Sequence, residues 1–305
     1  MLSETKIFCI FLVGAFLFLT MSCEQMKPID SLGQYQEGTH IFEEGLISTQ
    51  ENHEGLSYIS PQKDVIIFTR SDKNYEQSGL YISRFLEGQW TVPTKIKLTE
   101  SSYEAGIAFS PDKSKAFFTN KFKLKEGDST NLWNIWEIEL DEKYEFKKET
   151  AKPLVSPINS KYQDCCLTMN SNGNVYFSSN RDGTWDIYSA QYVNHSFERI
   201  EKLDHPINTN ESGEWPSHIS RSNSVLWFSS IRKSGIGGDD IYISHKSKGS
   251  WQEPILLNDS INSKFYEDSA FITADSSHFF FSSGKPFREI NGMSNIYVSK
   301  NKAKP

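Results

Sequence analysis

Glu267-Asp268-Ser269-Ala270-Phe271-Ile272-Thr273-Ala274-Asp275 leads into the aromatic run Phe279-Phe280-Phe281, then Ser282-Ser283 and, after a gap, Asn295-Ile296-Tyr297-Val298-Ser299. A near copy lies upstream. There Glu214, Ser217-His218-Ile219-Ser220, Leu226-Trp227-Phe228-Ser229-Ser230 and Asp240-Ile241-Tyr242-Ile243-Ser244 fall in the same order at almost the same spacing. Self-similarity at a period of roughly 40 to 50 residues marks a repeat architecture, in which each unit buries its apolar faces against its neighbours.

Aligned on an acid six places before a small polar residue, the chain contains five units: Glu54 before Ser60, Glu104 before Ser110, Asp164 before Asn170, Glu214 before Ser220 and Glu267 before Thr273. The residue ahead of the polar position is apolar each time: Ile59, Phe109, Met169, Ile219, Ile272. Turn residues follow, such as Pro61-Gln62-Lys63-Asp64 and Ser171-Asn172-Gly173-Asn174. Pro presets φ for a turn's first central position and Asn, Asp and Gly tolerate the second, so each joins two antiparallel strands. The second strands, at 65–69, 116–119, 175–178, 225–229 and 279–282, are near-continuous runs of apolar, β-branched and aromatic residues, the pattern of a strand covered on both faces. Third strands are expected at 80–82, 135–138, 187–189, 241–243 and 296–298. A fourth is announced by an aromatic and often a Pro, at 90–93, 197–203 and 251–257.

Four antiparallel strands per unit, five times over, predict an all-β fold: a five-bladed β-propeller of four-stranded antiparallel blades spanning residues 40–300. The fifth unit stops after its third strand, leaving 301–305 as a basic tail. Residues 40–48 belong to no unit, yet end in Leu46-Ile47-Ser48 six places before Glu54, as a fourth strand would. They are expected to complete the last blade and close the ring, so that no edge stays open. Residues 121–131 and 139–150 make unit two longer and read as insertion loops, with a short extra hairpin as the alternative.

With 305 residues, 13% aromatics and a net charge of −7, the chain is suited to a sizeable core. No Lys/Arg face offers a phosphate-binding footprint, so nucleic acid is not an expected partner. Residues 7–21 form an uncharged apolar run behind Lys6. The run falls short of the roughly 20 residues a membrane span needs and reads as the core of a signal peptide over 1–22. Thr20-Met21-Ser22-Cys23 resembles the bacterial lipobox, which implies a lipidated Cys23, a tether over 23–39 and a site in the cell envelope. The alternative is an ordinary residue after a secretory cut. With Cys9 leaving in the leader and Cys23 consumed, only Cys165-Cys166 remain, too few for a disulfide framework. Sequence neighbours bridge only under strain, so two small buried thiols are expected, with no resolving partner evident beside them.

Ser110-Pro111-Asp112-Lys113, Ser178-Ser179-Asn180-Arg181-Asp182-Gly183 with Asp186-Ile187-Tyr188, and Gly237-Gly238-Asp239-Asp240-Ile241-Tyr242 resemble the WD40-like repeat called PD40. That repeat is known from the propeller of the translocation protein TolB and from lipoproteins of Bacteroidetes. The resemblance covers residues from about 40 to 300, with units three and four closest. It implies an envelope propeller used as a binding platform, whose partner is an envelope protein or a glycan, and it implies no reaction. A monomer without cofactor or metal is expected. The second reading is a carbohydrate-active enzyme working through channel-mouth carboxylates.

Strand order gathers Glu54, Glu104, Asp164, Glu214 and Glu267 at one mouth of the channel, with Arg70, Lys121, Arg181, Arg232 and Lys285 following the second strands on the same face. Catalysis needs two or three unequal carboxylates, whereas one acid per unit is a scaffold device, so ion pairs and backbone hydrogen bonds are the expected role. Departures from the repeat, Trp215 and His218, are better binding candidates, and Arg232 and Arg181 on the same face join them as candidates. The loops at 71–78, 121–131, 231–239 and 285–291 are expected on this same face. No paired metal-ligand motif and no Gly-x-Ser-x-Gly elbow occurs.

If Cys23 carries lipid, the exported protein incorporates radioactive palmitate and partitions into detergent, and Cys23→Ala abolishes both. Unlabelled, freely soluble parent protein is the result that contradicts it.

Overall fold

The computed structural model describes residues 30–122, 132–285 and 293–300. The leader, Cys23, the tail and most of the expected loops at 121–131 and 285–291 lie outside the described residues. The strands form five antiparallel sheets, each a blade, with no helix among the described residues. Inner strands His53–Ile59, Glu104–Phe109, Asp164–Met169, Glu214–Ile219 and Glu267–Ile272 pack beside one another round a central channel.

The second strands carry the core because both their faces meet a neighbouring blade. In Val65–Ser71, Ile66 and Phe68 pack toward the last blade and the N-terminal segment, while Ile67 packs toward blade 2. In His278–Ser283, Phe280 faces blade 1 while Phe279 and Phe281 face blade 4. Alternation along a strand thus feeds one hydrophobic cluster at each of the five blade interfaces.

The turns after the inner strands share one geometry. Lys63, Lys113, Gly173, Asn223 and Ser276, at the same place in each unit, all have positive φ, between 56° and 75°. The small polar residue of each unit holds its turn: Ser60 Oγ accepts the N–H groups of Asp64 and Val65, and Asn170 Oδ1 accepts those of Asn172 and Asn174. Such side-chain acceptors offset the cost of a left-handed residue that is not glycine.

Two expectations are corrected in detail. Residues 139–150 are no insertion loop: Leu132–Leu140 ends there and the outer strand of blade 2, Phe146–Pro153, begins there. An outermost strand has one face in water, and Phe146-Lys147-Lys148-Glu149 therefore looks like a loop in sequence. In blades 1 and 4 the outer strand is split, into Gln89–Trp90 with Thr94–Ile96 and into Ser250–Trp251 with Ile255–Leu256. Pro93 and Pro254 sit in the gaps, where a residue without N–H cannot continue the ladder.

The ring closes through the N-terminus. Thr39–Ile41 pairs antiparallel with Asn295–Lys300, placing Ile41 opposite Tyr297, and the Phe42 N–H donates to Ile296 O at 2.8 Å. Between other blades a connector asparagine takes both backbone groups of the third strand: Asn159 with Ile135, Asn208 with Ile187, Asn262 with Ile241. Ser48 Oγ does this for Ile296, at 3.2 Å to both N and O. Phe42, fully buried, meets Phe280 edge-on at 5.3 Å and Trp90 at 5.7 Å.

Phe42→Ala leaves a hole where the first and last blades meet, and is expected to cost about 3–5 kcal/mol in a urea melt. A change below about 1 kcal/mol contradicts closure by this segment.

Candidate functional site

The five ring acids are no more than 2% exposed, and each is taken up by the connector entering its blade. Glu54 accepts from Thr49 N and Oγ1, Glu104 from Thr99 N and Oγ1, Asp164 from Ser160 N and Oγ, and Glu267 from Ser263 N and Oγ. Glu214 accepts from the hydroxyls of Thr209 and Ser212. Burial pushes Glu54 up to about 7 and raises Glu104 and Glu214, against these donors.

A cation lies over most of these acids. Arg70 Nε is 3.0 Å from Glu54 Oε1, Arg181 Nη2 is 2.7 Å from Asp164 Oδ1, and Arg232 Nη2 is 3.6 Å from Glu214 Oε1. The same guanidinium groups donate to connector carbonyls: Arg70 to Leu46 and Ile47, Arg181 to Pro157 and Ile158, Arg232 to Ile207. Each also sits over two rings, Phe68 and Tyr81, Phe177 and Tyr188, or Phe228 and Tyr242. Lys285 stands at that place in blade 5 and donates to Ile261 O at 2.9 Å above Phe281. The four binding candidates therefore separate. Arg181 and Arg232 are committed to connectors, whereas Trp215 and His218 border the channel.

The channel encloses about 1650 Å³. Every inner strand has a register shift just past its acid, as between Cys165 and Thr168 or Asp268 and Phe271. Such bulges aim side chains off the regular alternation. The residue directly after each acid borders the channel: Gly55, Ala105, Cys165, Trp215 and Asp268. This place holds a different residue in every unit, and it is one of the places where the mouth acquires its chemistry.

Along one side of the mouth runs an arc of half-buried rings. Tyr103 stacks on Trp133 with centroids 6.0 Å apart, Trp133 meets Trp185 at 5.9 Å, and Trp185 meets Trp215 at 6.2 Å. Gly213 makes room, since a Cβ there would lie 2.6 Å from Trp215 Cη2. Opposite stands His53, stacked on Tyr75 at 4.1 Å, its Nδ1 near the hydroxyls of Tyr75 at 2.8 Å and Tyr266 at 3.3 Å. Because Nδ1 also accepts the Ser294 N–H, at 3.1 Å, the ring proton belongs on Nε2. Burial lowers the His53 value, which agrees with a neutral ring.

Two carboxylates outside the ring border the channel, Asp239 and Asp268. Burial pushes Asp239 up to about 6, with the charges of Asp268 and Asp240 adding to it. Burial likewise raises Asp268, against the hydroxyls of Ser269 and Ser282. His218 lies deeper, with its ring 4.9 Å from that of Phe271 and 5.6 Å from that of Trp227, and burial holds it at about 4. Asp268 holds in its unit the place of Trp215 yet was not among the candidates expected from the sequence, and neither were His53, Tyr103, Trp133, Trp185 and Asp239. Unit-to-unit variation at the place after the acid was the signal for Asp268. Nothing local marked the others.

Fold and mouth together define a five-bladed β-propeller with an open channel bordered by aromatic and carboxylate side chains. No family model matches the chain, and no curated protein matches it. Among solved structures it is similar to the catalytic domain of a GH62 alpha-L-arabinofuranosidase from Coprinopsis cinerea, at 9% identity and a TM-score of 0.52 over 88% of this chain and 97% of that one. It is also similar to TolB from Acinetobacter baumannii, at 16% identity and a TM-score of 0.43 over 81% of this chain, and it spans 54% of the length of that protein. At these identities the likeness is one of fold.

Because His218 is held at about 4 against an ordinary 6.5, protons bind the unfolded chain before the fold between those values. The stability contributed by the neutral ring is complete above about pH 6.5 and lost as pH falls toward 4. Relative to His218→Phe, the parent is expected to lose on the order of 1–3 kcal/mol between about pH 7 and about pH 4.5. Urea melts at the two values check this, and a constant difference contradicts it.

Proposed function

We propose that this propeller is a non-catalytic binding module of the PD40 type whose channel mouth takes the end of a neutral glycan chain. The observation that carries the reading is the arc Tyr103–Trp133–Trp185–Trp215 beside a cavity of about 1650 Å³. Flat ring faces stack on the apolar faces of sugars, and a few polar groups set orientation. Asp239, Asp268 and the Tyr75 hydroxyl supply polar groups at the same mouth. Carboxylates there disfavour an acidic sugar. A concave site of this size suits a chain end better than the flat face of a protein partner.

The absence of catalysis is part of the proposal. Glycosidic cleavage by two carboxylates needs environments that push their pKa values apart. Asp239 and Asp268 are both raised, and burial is the chief cause for each. Export and anchoring through a lipid on Cys23, in the cell envelope, complete the proposal, and the apolar run at 7–21 ahead of that cysteine supports them.

The test is a panel of immobilised neutral and uronic-acid oligosaccharides probed with the parent, Trp215→Ala, Asp268→Asn and a turn control, Lys113→Ala. The parent and the control are expected to bind neutral chains. Trp215→Ala is expected to bind about tenfold or more weakly, a loss of about 1.4 kcal/mol or more, while still unfolding in one transition. Retained binding by Trp215→Ala with loss in the turn control overturns the site. Release of reducing sugar by the parent, abolished by Asp268→Asn, overturns the non-catalytic part.

A further inference from the structure

The inner strand of blade 3 contains two thiols whose placement neither packing nor glycan binding requires. Consecutive side chains of a regular strand point to opposite faces. Cys165 and Cys166 do not, because the register shift after Cys165 and the positive φ of Cys166, 59°, break the alternation. Their Sγ atoms come to 2.9 Å of each other. The Cys166 N–H is held by Thr119 Oγ1 of blade 2, at 3.2 Å, so the kink is fixed from the neighbouring blade. Gly106 and Ser269 have the same left-handed geometry, at φ of 59° and 52°. The bulge therefore belongs to the scaffold, while the thiols belong to this blade alone. Cys165 is 1% exposed and Cys166 partly open, and both border the channel beside Tyr103.

We propose that Cys165 and Cys166 form a redox-active dithiol in the channel wall, which closes to a vicinal disulfide by exchange with a small disulfide entering through the mouth. Cys166, the partly open thiol, gives up its proton and its sulfur attacks one sulfur of the incoming disulfide. One thiolate is expelled, and a mixed disulfide remains on Cys166. The Cys165 sulfur, already in contact, then gives up its proton and attacks Cys166 Sγ, expelling the second thiolate. Two protein thiols are oxidised to one disulfide, the incoming disulfide is reduced to two thiols, and the two protons pass to the leaving thiolates. Burial raises the Cys165 thiol well above its ordinary value, which assigns the first attack to Cys166 and the closing step to Cys165. A bridge between sequence neighbours spans Cα atoms about 3.8 Å apart, short of the about 4.4 Å at which ordinary disulfides begin. Strain of that kind makes the bond easy to reduce, so the site opens and closes rather than stapling the fold.

The test uses the full chain exposed to oxidised glutathione, quenched in acid, alkylated with iodoacetamide and digested with trypsin. Cleavage after Lys161 and Arg181 releases one peptide holding Cys165 and Cys166 and no other cysteine. Before oxidation this peptide is expected to take up two alkyl groups. Afterwards it is expected to take up none, to weigh two hydrogens less and to carry no glutathione, and dithiothreitol restores both alkyl groups. In Cys165→Ala the peptide is expected to retain one glutathione on Cys166. Two results overturn the proposal: a parent peptide that keeps glutathione on Cys166 with Cys165 still open to alkylation, and a parent peptide in which both thiols stay alkylated in full after exposure. Both are read on the parent alone, so a variant that fails to fold does not obscure them.

Discussion

A cation laid between a buried carboxylate and aromatic rings ties each clamped blade to the connector that delivers the chain into it. In blade 1 the guanidinium of Arg70 meets Glu54, the carbonyls of Leu46 and Ile47, and the rings of Phe68 and Tyr81. Blades 3 and 4 repeat this with Arg181 and Arg232, while in blade 5 Lys285 keeps only the connector, through the carbonyl of Ile261, and the ring of Phe281. A buried ion pair contributes little net stability once desolvation is counted, but removing one partner leaves a charge with no solvent and costs several kcal/mol. The clamp therefore acts through what it forbids. A connector in another conformation leaves the carboxylate without its threonine or serine donors and the cation without its carbonyls. Blade 2 shows the limit of the device, because Glu104 is held by Leu98 and Thr99 while Lys121 lies over the Tyr103 ring.

Positions that recur between units build the wall, and positions that vary face the opening. The acid, the apolar residue ahead of the turn and the left-handed turn residue hold their places in all five units. The place after the acid holds Gly, Ala, Cys, Trp and Asp in turn, and all five border the channel. Closure multiplies the effect, since inner strands of neighbouring blades bring those five residues to one opening. A rigid, repeated frame thus presents a small set of unequal groups. The aromatic arc depends on the same arrangement, because Tyr103 and Trp133 come from blade 2, Trp185 from blade 3 and Trp215 from blade 4.

The period of the repeat, the second strands dense in apolar and β-branched residues, and the leftover segment ahead of Glu54 were enough to determine a five-bladed propeller closed by its own N-terminus. Each of these signals is local or strictly periodic, and burial on both faces leaves a pattern that any single unit displays. The outer strand of blade 2 was not legible, since a strand with one face in water keeps too few apolar residues to stand out from a loop. Only the tertiary structure decided which polar residues are spent and which are free to act. Arg181 and Arg232 look like binding residues until the carbonyls they serve, some 24 or 25 places away, are brought beside them. Asp239 acquires its raised pKa from burial and from Asp268, a residue of the next blade. Cys165 and Cys166 meet because a bulge held by Thr119 of blade 2 turns two neighbours to one side. The physical reason is common to all three. Solvation, charge and contact at the mouth are set by neighbours from other blades, and no spacing along the chain encodes them.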